Sequence, residues 1–536
     1  MKKTIIISML AGLALSAGAQ NMWDAYNYSQ TNYLGTARSV GMGNAMTAVG
    51  GDLGSLTFNP AGSAVAGYSQ ITLSPGISIA SVNAMGLTLD GDKSPYCFGD
   101  ENVNSKTKMI FPNFGFMFNF DTHRTRGVKS WSFGITGNAT NNYNSELYAS
   151  GENMHSSYMG WLSTQANGIN VNDIKASNAW DNASIPWPVI VGWDAGLISN
   201  TVEDGEVIPD QYIGTSEKIF PDGTMGIAGD LSQKYGRLTS GNKYDILMNF
   251  GANINDKLFI GANLGVTSLD YRYNEYIYEA AVDPQDFDLN FDETAKTYFR
   301  DMRSRFALDT DGSGVYFKAG FIATPFSGLR LGAAIQTPTA MTIKESWSYD
   351  AYTTYTDSQW DASGGTDYPG TSTYHFRTPY LLDAGIAYTF GNYGMISADY
   401  ELCDYSTMRF RTRGSNFYGD DDYAIQNEDI VAGMKASHLF RLGAEFRPTP
   451  SFAVRAGYNY TSTPFKDTVN AARQAVSAGL GYSSNGSFFA DLAVRATFMP
   501  DEFVKVYEDY LNDMPSPEIL AKTKKWDVIF TLGWRF

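Results

Sequence analysis

The last twelve residues, "KWDVIFTLGWRF" (Lys525–Phe536), set the tightest limit on what this chain can fold into. In an extended strand, Trp526, Val528, Phe530, Leu532, Trp534 and Phe536 share one face. Asp527, Ile529, Thr531, Gly533 and Arg535 share the other. One face is wholly apolar and ends in aromatics; the other carries charge and glycine. In a soluble sandwich the apolar face would be core and Arg535 would be solvated. In a membrane barrel the apolar face meets lipid and the polar face lines the lumen. The same alternation recurs in Leu329–Ile335, Leu382–Tyr388, Phe440–Phe446, Phe452–Tyr460 and Phe488–Phe498. Segments of about ten residues suit tilted strands that cross the hydrocarbon layer.

Composition favours the barrel. The chain has 53 Gly, 34 Tyr, 32 Phe and 10 Trp but only 18% charged residues, with a mean hydropathy of -0.25. Beyond the amino terminus, no segment approaches the ~20 apolar residues of a membrane helix. A net charge of -17 argues against a nucleic-acid partner. Cys97 and Cys403 are too few and too far apart for a disulfide scaffold. His123, His155, His375 and His438 show no ligand spacing, so no metal and no cofactor is expected. No Gly-x-Ser-x-Gly elbow occurs, and an enzyme is not expected. The start, "MKKTIIISMLAGLALSAGAQ", reads as a signal peptide over residues 1–19, cleaved after Ala19. For a transmembrane anchor the apolar run is short.

The connections alternate in length. Short turns rich in Gly, Asn, Pro and Asp occur at "NINDK", "PFSG", "FGNYG", "RPTPS" and "SSNGS". Between them lie long polar segments: Asp90–Lys108, Ser145–Lys243, Ala280–Asp311, Asp350–Arg377, Arg413–Ser437 and Pro500–Lys524. That is the pattern of an up-and-down antiparallel barrel with long outer loops, of about fourteen strands. The first three strands are expected near Tyr68–Leu87, Met109–Asp121 and Trp131–Tyr143. An open sheet edge in lipid would leave unpaired N–H and C=O groups, so the sheet must close. A barrel of this size is too wide for its own side chains to fill.

Residues 20–66 precede the first strand and have no lipid-facing pattern. "RSVGMGNAMTAVGGDLGSLTFNPAG" (Arg38–Gly62) is made of small residues that pack closely, with helical turns expected around Thr36–Val49. Met42, Met46, Leu53, Leu56 and Phe58 need burial, which a disordered leader would not give them. The expected organisation is therefore a small hatch over 20–66, seated in the lumen of a transmembrane barrel over 67–536.

The stretch "ARSVGMGNAMTAVGGDLGSLTFNPAGSA" resembles the amino-terminal signature of the FadL/TodX outer-membrane transporters. Asn59, Pro60 and Ala61 match that family's Asn-Pro-Ala motif, and Arg38, Gly41 and Gly43 lie in the same signature. The resemblance continues through Gly312–Pro338, Thr378–Ser406 and Phe440–Pro464, and is poor from Ser145 to Lys243. It implies passive uptake of long-chain fatty acids or aromatic hydrocarbons. Outer loops would capture the ligand, a site above the hatch would hold it, and a lateral opening at a kinked strand would release it. It also implies a monomer in contact with the lipid of a Gram-negative outer membrane, one that a larger envelope complex could include. Trp534 and Phe536 resemble the carboxy-terminal export signal of such barrels. Family members from anaerobic gut-type bacteria are sometimes labelled haemin receptors. The alternative reading is therefore a surface ligand-binding barrel, such as a haemin receptor or adhesin.

Within this frame several residues stand out. Arg38 is either a partner for a lumen carboxylate (Asp383, Asp399 or Glu445) or a solvated hatch charge. Lys318, Arg330, Arg441, Arg447, Arg455, Arg495 and Arg535 face the lumen with Asp383, Asp399, Glu401, Glu445, Asp491 and Asp527. Most should pair, because unpaired buried charge is costly. One unpaired cation could hold a ligand carboxylate; Lys318, Arg330, Arg441 and Arg455 are the candidate anchors. Gly134, Gly137 and Asn138 mark either a strand kink or merely weak pairing. Tyr273–Ala280, Ser184–Ile198 and Asp501–Met514 offer aromatics for a capture groove or for packing between loops.

Overall fold

A computed structural model describes residues 5–7, 21–87, 98–99, 101–153, 155–203, 205–290, 296–412, 423–466, 469–484, 487–510 and 516–536. Apart from residues 5–7, the expected leader lies outside the described residues, as does Cys97. Fourteen antiparallel strands form one closed barrel. They are β1 Gln70–Gly86, β2 Asn102–Asp121, β3 Val128–Asn142, β4 Leu231–Ile254 and β5 Leu258–Ala281. There follow β6 Lys296–Phe326, β7 Leu329–Gln336, β8 Leu381–Thr389, β9 Gly394–Asp404 and β10 Ala436–Thr449. Last come β11 Phe452–Thr461, β12 Arg473–Ser484, β13 Phe488–Phe498 and β14 Glu518–Arg535. The first strand pairs with the last, from Gln70 opposite Arg535 to Gly86 opposite Ile519, which removes both sheet edges. Phe536 and Ser69 exchange main-chain hydrogen bonds of 3.0 and 3.1 Å below that register.

The outward face decides between the two sheet architectures. Ile71, Leu73, Phe440, Leu442 and Phe530 are each roughly half exposed. Their strand neighbours Asp383, Arg441, Glu445, Arg495 and Asp527 are nearly fully buried. A water-soluble sandwich would invert this arrangement. Four of the five short turns expected between strands occur at one end of the barrel; Ser484 pairs with Phe488 around the fifth, whose Asn485 and Gly486 lie outside the described residues.

Strand length departs from expectation. About ten residues cross the hydrocarbon layer, yet β6 runs for 31 residues and β5 for 24. The outward row of β5 reads Leu258, Ile260, Leu264 and Val266, then Ser268, Asp270 and Arg272. The sheet therefore continues past the lipid into water. Much of what reads as loop between Ser145 and Lys243 and from Ala280 to Asp311 is strand: Ser145–Asn153, 231–243 and 296–311. The same holds for Tyr273–Ala280, where Tyr273 and Ile277 are buried inside the barrel rather than displayed. Beyond Val266 the outward row of β5 turns polar at Ser268, Asp270, Arg272 and Asn274, so a search for lipid-facing alternation misses it.

Residues 155–230 fold over the outer mouth as a cap. Its helices include Tyr158–Ala166 and Trp187–Asp194. Tyr158, Trp161, Leu162, Val189 and Ile190 are buried in one apolar cluster with Tyr235, Ile277 and Phe306 of the strands. The aliphatics of Ser184–Ile198 are therefore packed, with Trp187 and Trp193 at the margin of the same cluster.

The lipid-facing assignment has a direct test. Leu442→Arg, on the outward row of β10, should cost about 2–4 kcal/mol near the bilayer midplane. Urea unfolding of protein reconstituted in vesicles measures it; a cost below about 1 kcal/mol would remove Leu442 from the hydrocarbon.

Candidate functional site: the hatch and the seam in the wall

The amino-terminal segment fills the lumen. Helix α1 spans Met22–Ser29; Asn21 caps it, and the Asp24 side chain returns a bond to the Asn21 N–H. The chain then extends through residues 30–36 into α2, Ala37–Gly41, capped by Thr36. Met42, Met46, Leu53, Leu56 and Phe58 are all buried.

Small residues let the hatch backbone lie directly on the wall. Gly43 has φ +61, and a Cβ on it would sit 2.8 Å from Leu442 O and Tyr458 N. Facing it, a Cβ on Gly457 would sit 2.0 Å from Gly43 N. The Asn-Pro-Ala turn docks in the same way. Asn59 Nδ2 donates to Thr47 O at 2.8 Å and to Phe321 O at 2.9 Å, while Asn59 Oδ1 accepts from Ala61 N at 3.1 Å. A Cβ on Gly320 would stand 2.3 Å from Asn59 Oδ1. Pro60 O accepts from Asn249 Nδ2 at 2.9 Å, and Leu56 O from Asn263 Nδ2 at 2.8 Å. Asn249 and Asn263 escaped sequence reading, although inward parity on β4 and β5 marks them as lumen amides.

The charges pair across hatch and wall. Arg38 Nε lies 3.1 Å from Glu445 Oε2, and Glu445 also pairs with Arg455 and Arg447, both at 2.7 Å. Arg455 reaches on to Asp491 at 2.6 Å. Lys318 pairs with Asp383 at 2.8 Å and donates to Thr57 O at 2.9 Å. Arg441 pairs with Glu401 and stands 3.6 Å from Asp383. Arg330 donates to Val49 O at 2.7 Å. Three of the four candidate anchors thus have carboxylate partners, and the fourth holds the hatch backbone. Asp399 accepts from Thr47 N at 2.7 Å, and Arg495 joins Asp527 at 2.8 Å and Tyr33 O at 2.7 Å.

The wall has a seam. β2 and β3 pair from Asp121 opposite Ser130 up to Asn113 opposite Asn138, and no further. Gly134 and Gly137 lie inside this paired part and Asn138 ends it. Residues 102–112 of β2 continue outward against β1 alone. β3 meanwhile irregularly registers on β4 between Lys243 and Tyr244 and leaves Thr140 as the extra residue. The hatch takes the place of β2: Leu34 N donates to Ala139 O at 2.9 Å and Asn32 N to Thr140 O at 2.7 Å. Side chains bridge the seam above. Tyr244 Oη donates to Phe111 O at 2.5 Å, Lys106 Nζ to Thr239 O at 3.3 Å, and Lys525 Nζ to Asn142 O at 3.0 Å.

A buried polar knot ties the cap to the wall well above the lipid. Glu279, near the outer end of β5, accepts from Ser157 Oγ at 2.6 Å, Tyr158 N at 2.7 Å and Gln233 Nε2 at 2.6 Å. Burial outweighs these bonds, and with the charge of Glu217 it pushes the Glu279 carboxyl up to about 7.

No family model matches the sequence, and no curated protein matches it significantly. Solved structures do. The FadL homologue of Pseudomonas aeruginosa aligns with a TM-score of 0.52 at 12% identity, covering 94% of this chain and 99% of that one. The toluene transporter TodX of Pseudomonas putida aligns at 0.47 and 12%, covering 94% and 99%. The toluene transporter TbuX of Ralstonia pickettii aligns at 0.45 and 13%, covering 95% and 100%. The chain shares the fold of the FadL homologue.

Two outcomes test this geometry. Gly320→Val should push Asn59 off the wall and cost about 1–3 kcal/mol through overpacking. Single-channel recording should show ionic conductance raised several-fold over the parent; unchanged conductance would mean the Asn59 dock does not hold the hatch. For Glu279, the folded cap keeps a proton between roughly pH 4.5 and 7 that the unfolded chain has released. Cap stability therefore falls as pH rises through that window, by about 3 kcal/mol in all. Hydrogen exchange over residues 157–166 at pH 5 and pH 8 reads it, and Glu279→Gln should flatten the profile. An unaltered slope in that variant would assign the effect to another group.

Proposed function

We propose that the protein is a non-enzymatic outer-membrane channel of a Gram-negative bacterium that takes up hydrophobic small molecules by passive diffusion. Long-chain fatty acids and aromatic hydrocarbons are the two substrate classes. The observation that carries this reading is the seam between β2 and β3, sealed by the hatch main chain at Asn32 and Leu34. A plain diffusion pore has no use for a lumen stoppered by buried side chains and ion pairs. A channel for apolar solutes does, because its cargo can leave sideways into hydrocarbon once the hatch shifts, without crossing periplasmic water. The fold shared with the Pseudomonas aeruginosa FadL homologue supports the same reading. The channel works as a monomer in contact with membrane lipid, within which a larger envelope complex could still recruit it.

Deleting Thr140 tests the exit. The deletion removes the extra residue opposite Lys243 and Tyr244 and lets β3 run straight beside β2. In a host lacking its own long-chain fatty-acid channel, uptake of oleate and of toluene should fall about tenfold or more, equivalent to ~1.4 kcal/mol on the barrier. Heat-dependent electrophoretic mobility should still report a folded barrel. Full uptake by the folded variant would rule out the seam as the exit. Haemin binding by a parent protein that transports neither substrate would favour the receptor alternative.

A further inference from the structure

On the outer surface above the lipid, cations on one stretch of the sheet are matched by carboxylates. Arg272 of β5 has Asp270 and Asp309, and Arg303 and Arg305 of β6 share Asp350, at 3.3–3.9 Å. Further round the sheet the match ends. The strand Ala340–Tyr355 is followed by Gly370–Arg377, and that by Arg409–Thr412. Met341, Ile343, Tyr374, Phe376 and Phe410 of these strands are buried inside. The alternate residues Lys344, His375, Arg377, Arg409 and Arg411 therefore face outward. Among the described residues, Lys344, His375, Arg377 and Arg409 have no carboxylate within 4.0 Å.

The register makes this cluster unfavourable by itself. Arg377 is the direct cross-strand neighbour of Arg409. Opposed residues hold their Cβ atoms about 4.5–5.5 Å apart, and like charges placed there repel. The chain has 56 acidic against 39 basic side chains, so carboxylates are not scarce, and Arg272 and Arg303 find theirs. The patch is short of anions that the protein itself does not bring.

Position identifies the missing anion. On its own strand or the one that leads into it, each cation lies just outward of the last lipid-facing side chains. Arg377 comes before Tyr380 and Leu382, Lys344 after Ile335, and Arg409 after Tyr400 and Leu402. Ile335 and Leu382 are exposed outward, and tyrosines beside them mark the interface of a membrane barrel. The anions at that depth are lipid phosphates. The patch is also wide. Thr373 stands opposite Lys344, and Arg377 follows it by four residues, or about 13 Å of strand. That span suits two phosphates on one sugar head group better than a single phosphate. Thr342 and Thr373 place hydroxyls on the same face, and the Thr342 hydroxyl lies 3.1 Å from His375 Nδ1. Arg409 Nη1 donates to Ser406 O at 2.8 Å and Met408 O at 2.6 Å, which orients a planar fork of the kind that grips phosphate.

We infer that the outward face of Lys344, His375, Arg377, Arg409 and Arg411 seats a phosphorylated glycolipid of the outer leaflet, with its acyl chains against Ile335, Leu382 and Leu402. The inference rests on the outer-membrane placement and not on the cargo. The lipid supplies the counter-charge that the sheet lacks, and the barrel gains a fixed boundary with its membrane.

Thermal unfolding and native mass spectrometry of the full-length barrel in neutral detergent test the seat. Diphosphoryl lipid A should raise the melting temperature and remain bound to the parent; dephosphorylated lipid A should do neither. In the double variant Arg377→Gln, Arg409→Gln, affinity for diphosphoryl lipid A should fall about tenfold or more. Without lipid that variant should melt no lower than the parent, because the repulsion is gone. Arg377→Lys with Arg409→Lys, which keeps both charges, should recover much of the affinity. Equal binding of dephosphorylated lipid A, or full affinity in the glutamine variant, would overturn the seat. A lower lipid-free melting temperature in the glutamine variant would overturn the repulsion on which it rests. Dioleoylphosphatidylglycerol binding as well as lipid A would overturn the glycolipid, and displacement of lipid A by inorganic phosphate would reduce the patch to a small-anion site and overturn the lipid.

Discussion

Backbone hydrogen bonding in hydrocarbon is the constraint from which the rest of this structure follows. Each unpaired N–H or C=O facing lipid costs several kcal/mol, and the ladder from β1 round to β14 meets that demand almost everywhere. It lapses where β3 parts from β2, and there the hatch supplies the missing donors through Asn32 N and Leu34 N. The hatch is therefore part of the wall's hydrogen-bond inventory as well as a stopper. Withdrawing residues 32–34 would strand the carbonyls of Ala139 and Thr140 unless water or β2 reached them. Hatch movement and wall opening are thus coupled by main-chain chemistry, and any opening there has to be brief or wet.

Charge reinforces that coupling without adding much stability. Buried ion pairs roughly balance attraction against desolvation, but breaking one by removing a single partner is costly. Arg38 is the hatch's contribution to a set in which Glu445 already serves Arg455 and Arg447. If Arg38 leaves, Glu445 keeps two cations and is not abandoned. The wall can therefore release the hatch without leaving a lone buried carboxylate. Lys318 behaves differently, because its Thr57 bond accompanies a pair with Asp383 that is complete within the wall.

The parts legible in the sequence were those whose two sides meet different solvents. Trp526 to Phe536 alternate because lipid lies on one side and a polar lumen on the other, and the strand is found there. Past Val266 on β5 the outward neighbours are Ser268, Asp270 and Arg272, water faces them, and the signal stops although the strand does not. The hatch was legible as small, greasy and leading the chain; its seating was not. Gly320 and Gly457 read as lumen-facing glycines, but nothing local says that Asn59 and Gly43 press against them from hundreds of residues away. The anchors illustrate the same limit. A sequence displays Lys318, Arg441 and Arg455 as cations, and only the folded register reveals that Asp383, Glu401, Glu445 and Asp491 neutralise them.

The two ends of the lumen are closed by different chemistry, and this bears on the direction of travel. Outward, the closure is an apolar cluster in which Tyr158, Trp161, Phe306, Phe376 and Phe410 are buried. Inward, it is the hatch, whose ion pairs and amides from Arg38 to Asn263 surround small apolar clusters holding Met42, Met46, Leu53, Leu56 and Phe58. An alkyl chain exchanging contacts with the upper cluster loses little, because apolar surface replaces apolar surface. Driving the same chain through the hatch would set methylenes that pass the ion pairs against charge and water, at about 0.8 kcal/mol apiece, while displacing paired ions and unseating the hatch's own buried side chains. For any cargo of more than a few carbons, the hatch is the more costly route. The seam stands beside Tyr143 of that cluster, so on the proposed pathway a sideways exit there is the route that keeps the tail out of water from the upper cluster to the bilayer.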